Sequence, residues 1–233
     1  IIGGVAYAAG DTVPVTRDLV GEVINPGFIT QAEYLIDVSA NLSVQDRAVA
    51  EFWEDGPGTS YPPGTMMTLA QVVSTRDGHD FATDAQLFLA MGNAMLDAAI
   101  AAWDAKVVYD YVRPIQAIRD LGELGLVGTE GVDALTGEAG QVITAFAGYD
   151  PDTGASVGTQ TILARNFVTY QDPAGSFSPP FAEYVSGHST FSGAAAAVLE
   201  SFTGGTALGV GTTLPAGGSN FDPTFPETSL NLS

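Results

Sequence analysis

The chain has 233 residues, 45% of them hydrophobic, which is enough for one sizeable core and too apolar for a disordered polymer. Its 27 acidic residues face 7 basic ones; the resulting net charge of -20 makes nucleic acid and anionic membranes poor partners and suits a secreted or periplasmic protein. Cysteine is absent, which excludes disulfides, thiolate nucleophiles and thiolate metal sites, and with two histidines in all a zinc or iron centre would have to combine His79, His188 and carboxylates.

Residues 1–28, with Gly3-Gly4, Pro14, Gly21 and Pro26-Gly27, read as an irregular, turn-rich entry. The apolar start, Ile1 to Gly10, has no basic leader region and no initiating methionine, so a signal peptide is expected to be absent or already removed. Thr30 with Glu33 resembles a capping box ahead of Tyr34, Leu35, Val38 and Leu42 at helical spacing, and Ser43 with Asp46 offers a second start before Val49, Phe52 and Trp53. One long or two short helices are expected over 30–54. The run Asp55-Gly56-Pro57-Gly58-Thr59-Ser60-Tyr61-Pro62-Pro63-Gly64 breaks the helix and reads as a loop, either a surface connector or the rim of a pocket. A short helix over Met66–Arg76 and a polar turn follow, the turn placing His79 on the surface.

The longest helical pattern runs from Thr83, with Gln86 as its capping partner, to about Val112, with Leu87, Met91, Ala94, Met95, Ala98 and Trp103 as its apolar stripe. Asn93 and Asp97 interrupt the stretch Leu87–Trp103, so no membrane span is expected. Lys106 is the only lysine in the chain, and at a spacing of seven it shares a helix face with Arg113, just before the break at Pro114. Two cations held together suit an anion; a salt bridge from Lys106 to Asp110, four residues on, explains the spacing equally well.

Residues 121–160 are rich in glycine, threonine and acids, with a helix expected near Glu138–Phe146; Asp150-Pro151-Asp152-Thr153-Gly154 is a turn or a weak calcium motif lacking the full twelve-residue ligand spacing. Thr161–Tyr170 fits helix or strand. The prolines at 179 and 180 then lead through Phe181 to Ser186-Gly187-His188 and an alanine-rich helix ending near Phe202. Unpaired N–H groups and the positive dipole end at that helix start favour an oxyanion, with glycine admitting it close to the backbone. The tail, 203–233, is rich in glycine and threonine and has no helical period.

Lys106, Arg113-Pro114 and Ser186-Gly187-His188 together resemble two of the three signature motifs shared by vanadium-dependent haloperoxidases and type 2 phosphatidic acid phosphatases. The flanking Glu51-Phe52-Trp53-Glu54-Asp55-Gly56-Pro57-Gly58, Ala102-Trp103-Asp104 and Phe181 to Phe191 are similar to bacterial members of the haloperoxidase-like branch. The resemblance covers roughly 30–202. It implies a single all-α domain over 1–233, a helical bundle at 29–202 with long Gly/Pro-rich loops, and a tail leading to C-terminal helices beyond this sequence. Lys106 and Arg113 would neutralise the oxygens of vanadate, Ser186 and the Gly187 N–H would add hydrogen bonds, and His188 would be the catalytic acid-base residue. Hydrogen peroxide, halide and a small organic molecule would be the substrates.

In the phosphatase alternative the pocket needs no cofactor and holds a transferring phosphoryl group. The third motif, which supplies a second arginine and the histidine that ligates vanadate, has no match: after His188 the sequence contains no Arg, Lys or His. That histidine is expected beyond Ser233, unless a second chain or another copy in a homo-oligomer completes the site, or the chain is a non-catalytic extracellular structural or assembly protein. The lipid phosphatases of the superfamily usually carry membrane-spanning helices, which favours the haloperoxidase reading.

Overall fold

The computed structural model describes residues 25–56, 58–171 and 178–232. The irregular entry expected at 1–28 therefore lies outside the described residues up to position 24, as do residues 172–177 ahead of the prolines at 179 and 180. The elements in chain order are α1 (Pro26–Ala40), α2 (Val44–Phe52), α3 (Tyr61–Asp77), α4 (Phe81–Tyr109), α5 (Pro114–Glu123), β1 (Thr129–Val132), β2 (Ala139–Phe146), β3 (Thr159–Leu163), α6 (Gly187–Thr203), β4 (Val210–Leu214) and β5 (Thr228–Leu232). The expectation of an all-α chain is corrected: a helical bundle is present together with two small antiparallel sheets.

Helix starts follow local chemistry. Ser43 and Asp46 form the expected capping box of α2, each side chain accepting from the other's backbone N–H. Thr30 caps nothing; α1 begins four residues earlier, at Pro26, with the Asn25 side chain accepting from Gly27 N–H. The loop expected to reach Gly64 ends sooner, because Pro62 and Pro63 sit in the first turn of α3, where a missing N–H costs nothing. Asp80, not Thr83, caps α4, its carboxylate accepting from Thr83 N–H at 2.8 Å.

The first core lies where α4 packs on α3 and α6. Met66, Leu69, Ala70 and Val73 of α3, Leu87, Met91, Met95 and Ala98 of α4, and Phe191, Ala195 and Leu199 of α6 are buried together. By length and composition alone the stretch Phe81–Glu123 could cross a membrane, despite Asn93 and Asp97. In this structure the inner face of α4 is a bundle face, whereas Leu89, Leu96, Ile100 and Val107 on its outer face stay exposed. His79 is not the surface residue expected: its side chain is 9% exposed, with Nδ1 3.5 Å from Asp84 Oδ1 in the first turn of α4.

The second core joins α1 and α5 to the three-stranded sheet. Ala32, Ile118, Leu121, Val127, Ile143, Ala145, Ile162, Ala164 and Phe167 form it. The stretch near Glu138–Phe146, expected as helix, forms strand β2 from Ala139 on, pairing Val142 with Leu163, Ile143 with Ile162 and Thr144 with Thr161. The β-branched run Val142-Ile143-Thr144 suits a pleated surface better than a helix, and tertiary pairing decides between them. Gly122 of α5 lies so close to Ala164 that a Cβ there would overlap it, which fixes the approach of helix to sheet. The ambiguous segment from Thr161 resolves as the end of β3 followed by a 3-10 turn, Ala164–Asn166.

The tail also forms structure. β4 and β5 make a hairpin whose Leu230 packs with Ala48 of α2 and with Phe225. At the weak calcium motif, Asp150 Oδ1 accepts from Asp152 N–H, Thr153 N–H and Thr153 Oγ1–H, the pattern of a plain turn.

Candidate functional site

Lys106 and Arg113 do not lie on one continuous helix. Asp110 adopts the left-handed conformation (φ 40°) and its N–H donates to Lys106 O at 3.0 Å, ending α4; Arg113 becomes the N-cap of α5, with Pro114 as the first helical residue. The break nevertheless brings both cations onto one segment. Lys106, only 4% exposed, donates from Nζ to the carbonyls of Ala182 at 2.7 Å and Glu183 at 3.0 Å. Arg113 donates from Nε to Phe181 O at 2.7 Å and, more loosely, to Ala182 O at 3.5 Å, while its other terminal nitrogen lies 3.2 Å from Glu183 Oε2. The proposed Lys106–Asp110 salt bridge is thus replaced by main-chain contacts.

The Phe181 ring lies against both cations, 5.2 Å from Lys106 Nζ and 4.8 Å from Arg113 Cζ, and 5.6 Å from the Trp103 ring. Glu183 N–H donates in turn to Tyr111 O at 2.9 Å. Residues 181–183 therefore form a strap across the α4–α5 junction. Burial lowers the pKa of Lys106, the nearby Arg113 lowers it further, and Glu183 partly opposes both.

The strap runs into the start of α6, as the sequence predicts. Ser186 is the N-cap and its Oγ accepts from Ser189 N–H at 3.2 Å, while its own O–H has no acceptor among the described residues. Gly187 lies beside the indole: a Cβ there would sit 3.4 Å from a Trp103 ring carbon. Trp103, one turn before Lys106, thereby joins the helix start to the buried ammonium. His188 is exposed and turns toward another neighbour, its Nε2 3.0 Å from Glu54 O in the loop after α2. Burial raises the pKa of Glu54, helped by Glu51 and Asp55.

The structure thus gathers Lys106 and Arg113 on the strap and sets Gly187, next to the N-cap Ser186, beside Trp103, with His188 tethered to the loop after α2. Trp103, Phe181 and Glu183 escaped residue-by-residue sequence reasoning. Their closeness to Ser186 along the chain and to Lys106 on its helix was the available signal, but nothing in the spacing pairs Glu183 with Arg113. Among the described residues no group of three or more His, Asp or Glu side chains is placed to hold a metal ion.

A family model described as the second helical-bundle domain of VCPO matches residues 86–233, a span that contains all five of these residues. The chain belongs to the vanadium haloperoxidase family. Two crystal structures of bacterial vanadium-dependent chloroperoxidase share its fold. The holo-type structure matches with a TM-score of 0.64 and 22% identity, covering 90% of this chain and 41% of that one. The apo-type structure matches with a TM-score of 0.66 and 21% identity, covering 88% and 39%. The chain spans about two-fifths of the length of these haloperoxidase structures. No curated protein sequence matches it.

Proposed function

We propose that this chain carries the oxyanion-binding part of a vanadate-dependent haloperoxidase, with hydrogen peroxide and halide as substrates. The observation that carries the reading is the convergence of Lys106 and Arg113, from either side of a helix break, on the segment that leads directly into Ser186-Gly187-His188. The donor set fits the group. A buried ammonium and a guanidinium supply charge, the Ser186 O–H and the N–H groups at the start of α6 supply directed hydrogen bonds, and a side chain at 187 would crowd the space against Trp103.

When bound, vanadate supplies a Lewis-acid centre that activates peroxide toward attack by halide. The residues of the chain do the rest. Lys106 and Arg113 neutralise oxygen charge, and the low local dielectric strengthens those contacts against the unfavourable field of a chain with net charge -20. Ser186 and Gly187 orient the oxyanion. His188, exposed at the helix start, holds or moves a proton at its ring nitrogens once it leaves the Glu54 carbonyl. A direct ligand to the vanadium, implied by the family resemblance, is not assigned to any residue of this chain.

Titration of the chain with orthovanadate, followed by the vanadium NMR signal, tests the reading. Weak but saturable binding that phosphate competes away is expected, because the direct ligand is not assigned to a residue of this chain, and it should fall roughly a further 30-fold or more in Arg113→Ala, the scale for losing one partner of a buried charge pair. No binding by the folded chain would overturn it. Halide oxidation with peroxide and added vanadate, set against phosphate release from a generic ester, separates this reading from an acid phosphatase using the same donors.

A further inference from the structure

The strap that crosses the two cations does not leave them free. Three carbonyls, those of Phe181, Ala182 and Glu183, accept from Lys106 and Arg113, and the Glu183 carboxylate lies 3.2 Å from the Arg113 guanidinium. Carbonyl oxygens are dipoles, but the carboxylate is a full charge of the same sign as any incoming oxyanion, and one of its oxygens lies against a terminal nitrogen of the guanidinium that an oxyanion would use. We infer that Glu183 is a built-in competitor of the oxyanion at Arg113, setting the affinity for the anion by the cost of displacing its side chain. The inference rests on the oxyanion reading of the site proposed above.

The geometry separates the part of the strap that is fixed from the part that can yield. The backbone of 181–183 is held from both sides: its carbonyls are held by Lys106 and Arg113, and Glu183 N–H is held by Tyr111 O. Among the described residues the Glu183 side chain has no such anchor beyond Arg113, and 36% of it is exposed. It can therefore swing to solvent without disturbing the main chain, exposing one edge of the guanidinium. Lys106 behaves differently, because its buried ammonium is satisfied by main-chain carbonyls and stays where it is. An anion would thus meet Lys106 as a fixed charge and Arg113 as a charge it must first win from Glu183.

The test compares inorganic vanadate and inorganic phosphate binding to the chain, Glu183→Gln and Glu138→Gln. Gln at 183 keeps an amide oxygen that can accept from Arg113, so the guanidinium stays oriented and only the charge is lost. Glu138 pairs with Arg165 outside the site, so its neutralisation controls for the general drop in negative charge. Expected are about five- to tenfold tighter binding of both anions to Glu183→Gln and no change for Glu138→Gln, on the scale of releasing a partly exposed ion pair and relieving its repulsion.

Equal or weaker binding by folded Glu183→Gln, with the parent chain still binding, would overturn the competitor role and leave the oxyanion reading intact. A similar gain in Glu138→Gln would overturn it by making net charge the cause. Binding by neither the parent chain nor Glu183→Gln, with both folded by circular dichroism, would overturn both readings.

Discussion

The two cores of the molecule are built by different means. Around α4 the core consists of apolar side chains from three helices, Met91 and Leu87 among those fully buried, and α4 and α6 start on the side chains of their own N-caps, Asp80 and Ser186. The sheet layer around β2 and β3 instead depends on a buried carboxylate. Asp133, 1% exposed, accepts from Leu135 N–H and Thr136 N–H through one oxygen, and from Leu163 N–H and Asn166 Nδ2–H through the other. It ties the β1–β2 turn to the end of β3. The helical core thus tolerates loss piece by piece, whereas the sheet layer has a hub.

Asp133→Ala should therefore cost the most. It leaves three backbone N–H groups and one side-chain amide without their acceptor, and at about 1–3 kcal/mol for each buried unsatisfied group the loss should exceed roughly 3 kcal/mol in urea unfolding. Acid offers a second way to strike the same group. Burial pushes its carboxyl pKa up, but the four hydrogen bonds outweigh this and bring it down to about 2 from 3.8. Because the folded value lies below the unfolded one, this stabilisation is complete above about pH 4 and is lost as pH falls through about 2. Unfolding midpoints measured down that range should fall for the parent chain more steeply than for Asp133→Ala; parallel curves would remove Asp133 as the hub.

In the helical core the largest single effect is a cavity. Met91 is fully buried between α3 and α6, and Met91→Ala should cost about 2–5 kcal/mol, with a spread set by how far the helices can close the gap. Its loss should be nearly independent of pH between about 2 and 7, since no titratable group takes part. A marked acid dependence of the Met91→Ala penalty would erase the contrast between the two cores.

The same contrast explains what could be read in advance. The capping box at Ser43, the helix start at Ser186 and the apolar stripe of α4 from Leu87 to Ala98 depend on residues a few positions apart, and these were legible, whereas Trp103, expected on the same stripe, is 45% exposed. The strand at Ala139–Phe146 was not, because Val142, Ile143 and Thr144 also fit a short helix and only pairing with residues some twenty positions on selects the strand. The convergence of Lys106 and Arg113 was anticipated for a reason that did not hold. Helical periodicity put them on one face, whereas the structure breaks the helix at Asp110 and folds the strap of residues 181–183 over both. Partners contributed by distant segments, such as Glu183 for Arg113 and the Glu54 carbonyl for His188, leave no mark in local spacing.

The smallest expected stability effect concerns Ser186, where structure and proposed chemistry meet on one hydroxyl. Its oxygen caps α6 by accepting from Ser189 N–H, and its proton, with no acceptor among the described residues, is available to an oxyanion. Ser186→Ala should remove both, at about 1 kcal/mol in stability for the cap and up to roughly tenfold in vanadate affinity for the hydrogen bond. Ser186→Asp separates the two roles. Aspartate caps as well as serine and complements the helix dipole, so stability should stay within about 0.5 kcal/mol of the parent. A carboxylate at the N-cap of α6 should at the same time weaken anion binding at least about tenfold, more than Ser186→Ala does, because repulsion is added to the lost donor. Vanadate affinity that follows stability across the two variants, instead of diverging in Ser186→Asp, would make Ser186 a cap and nothing more.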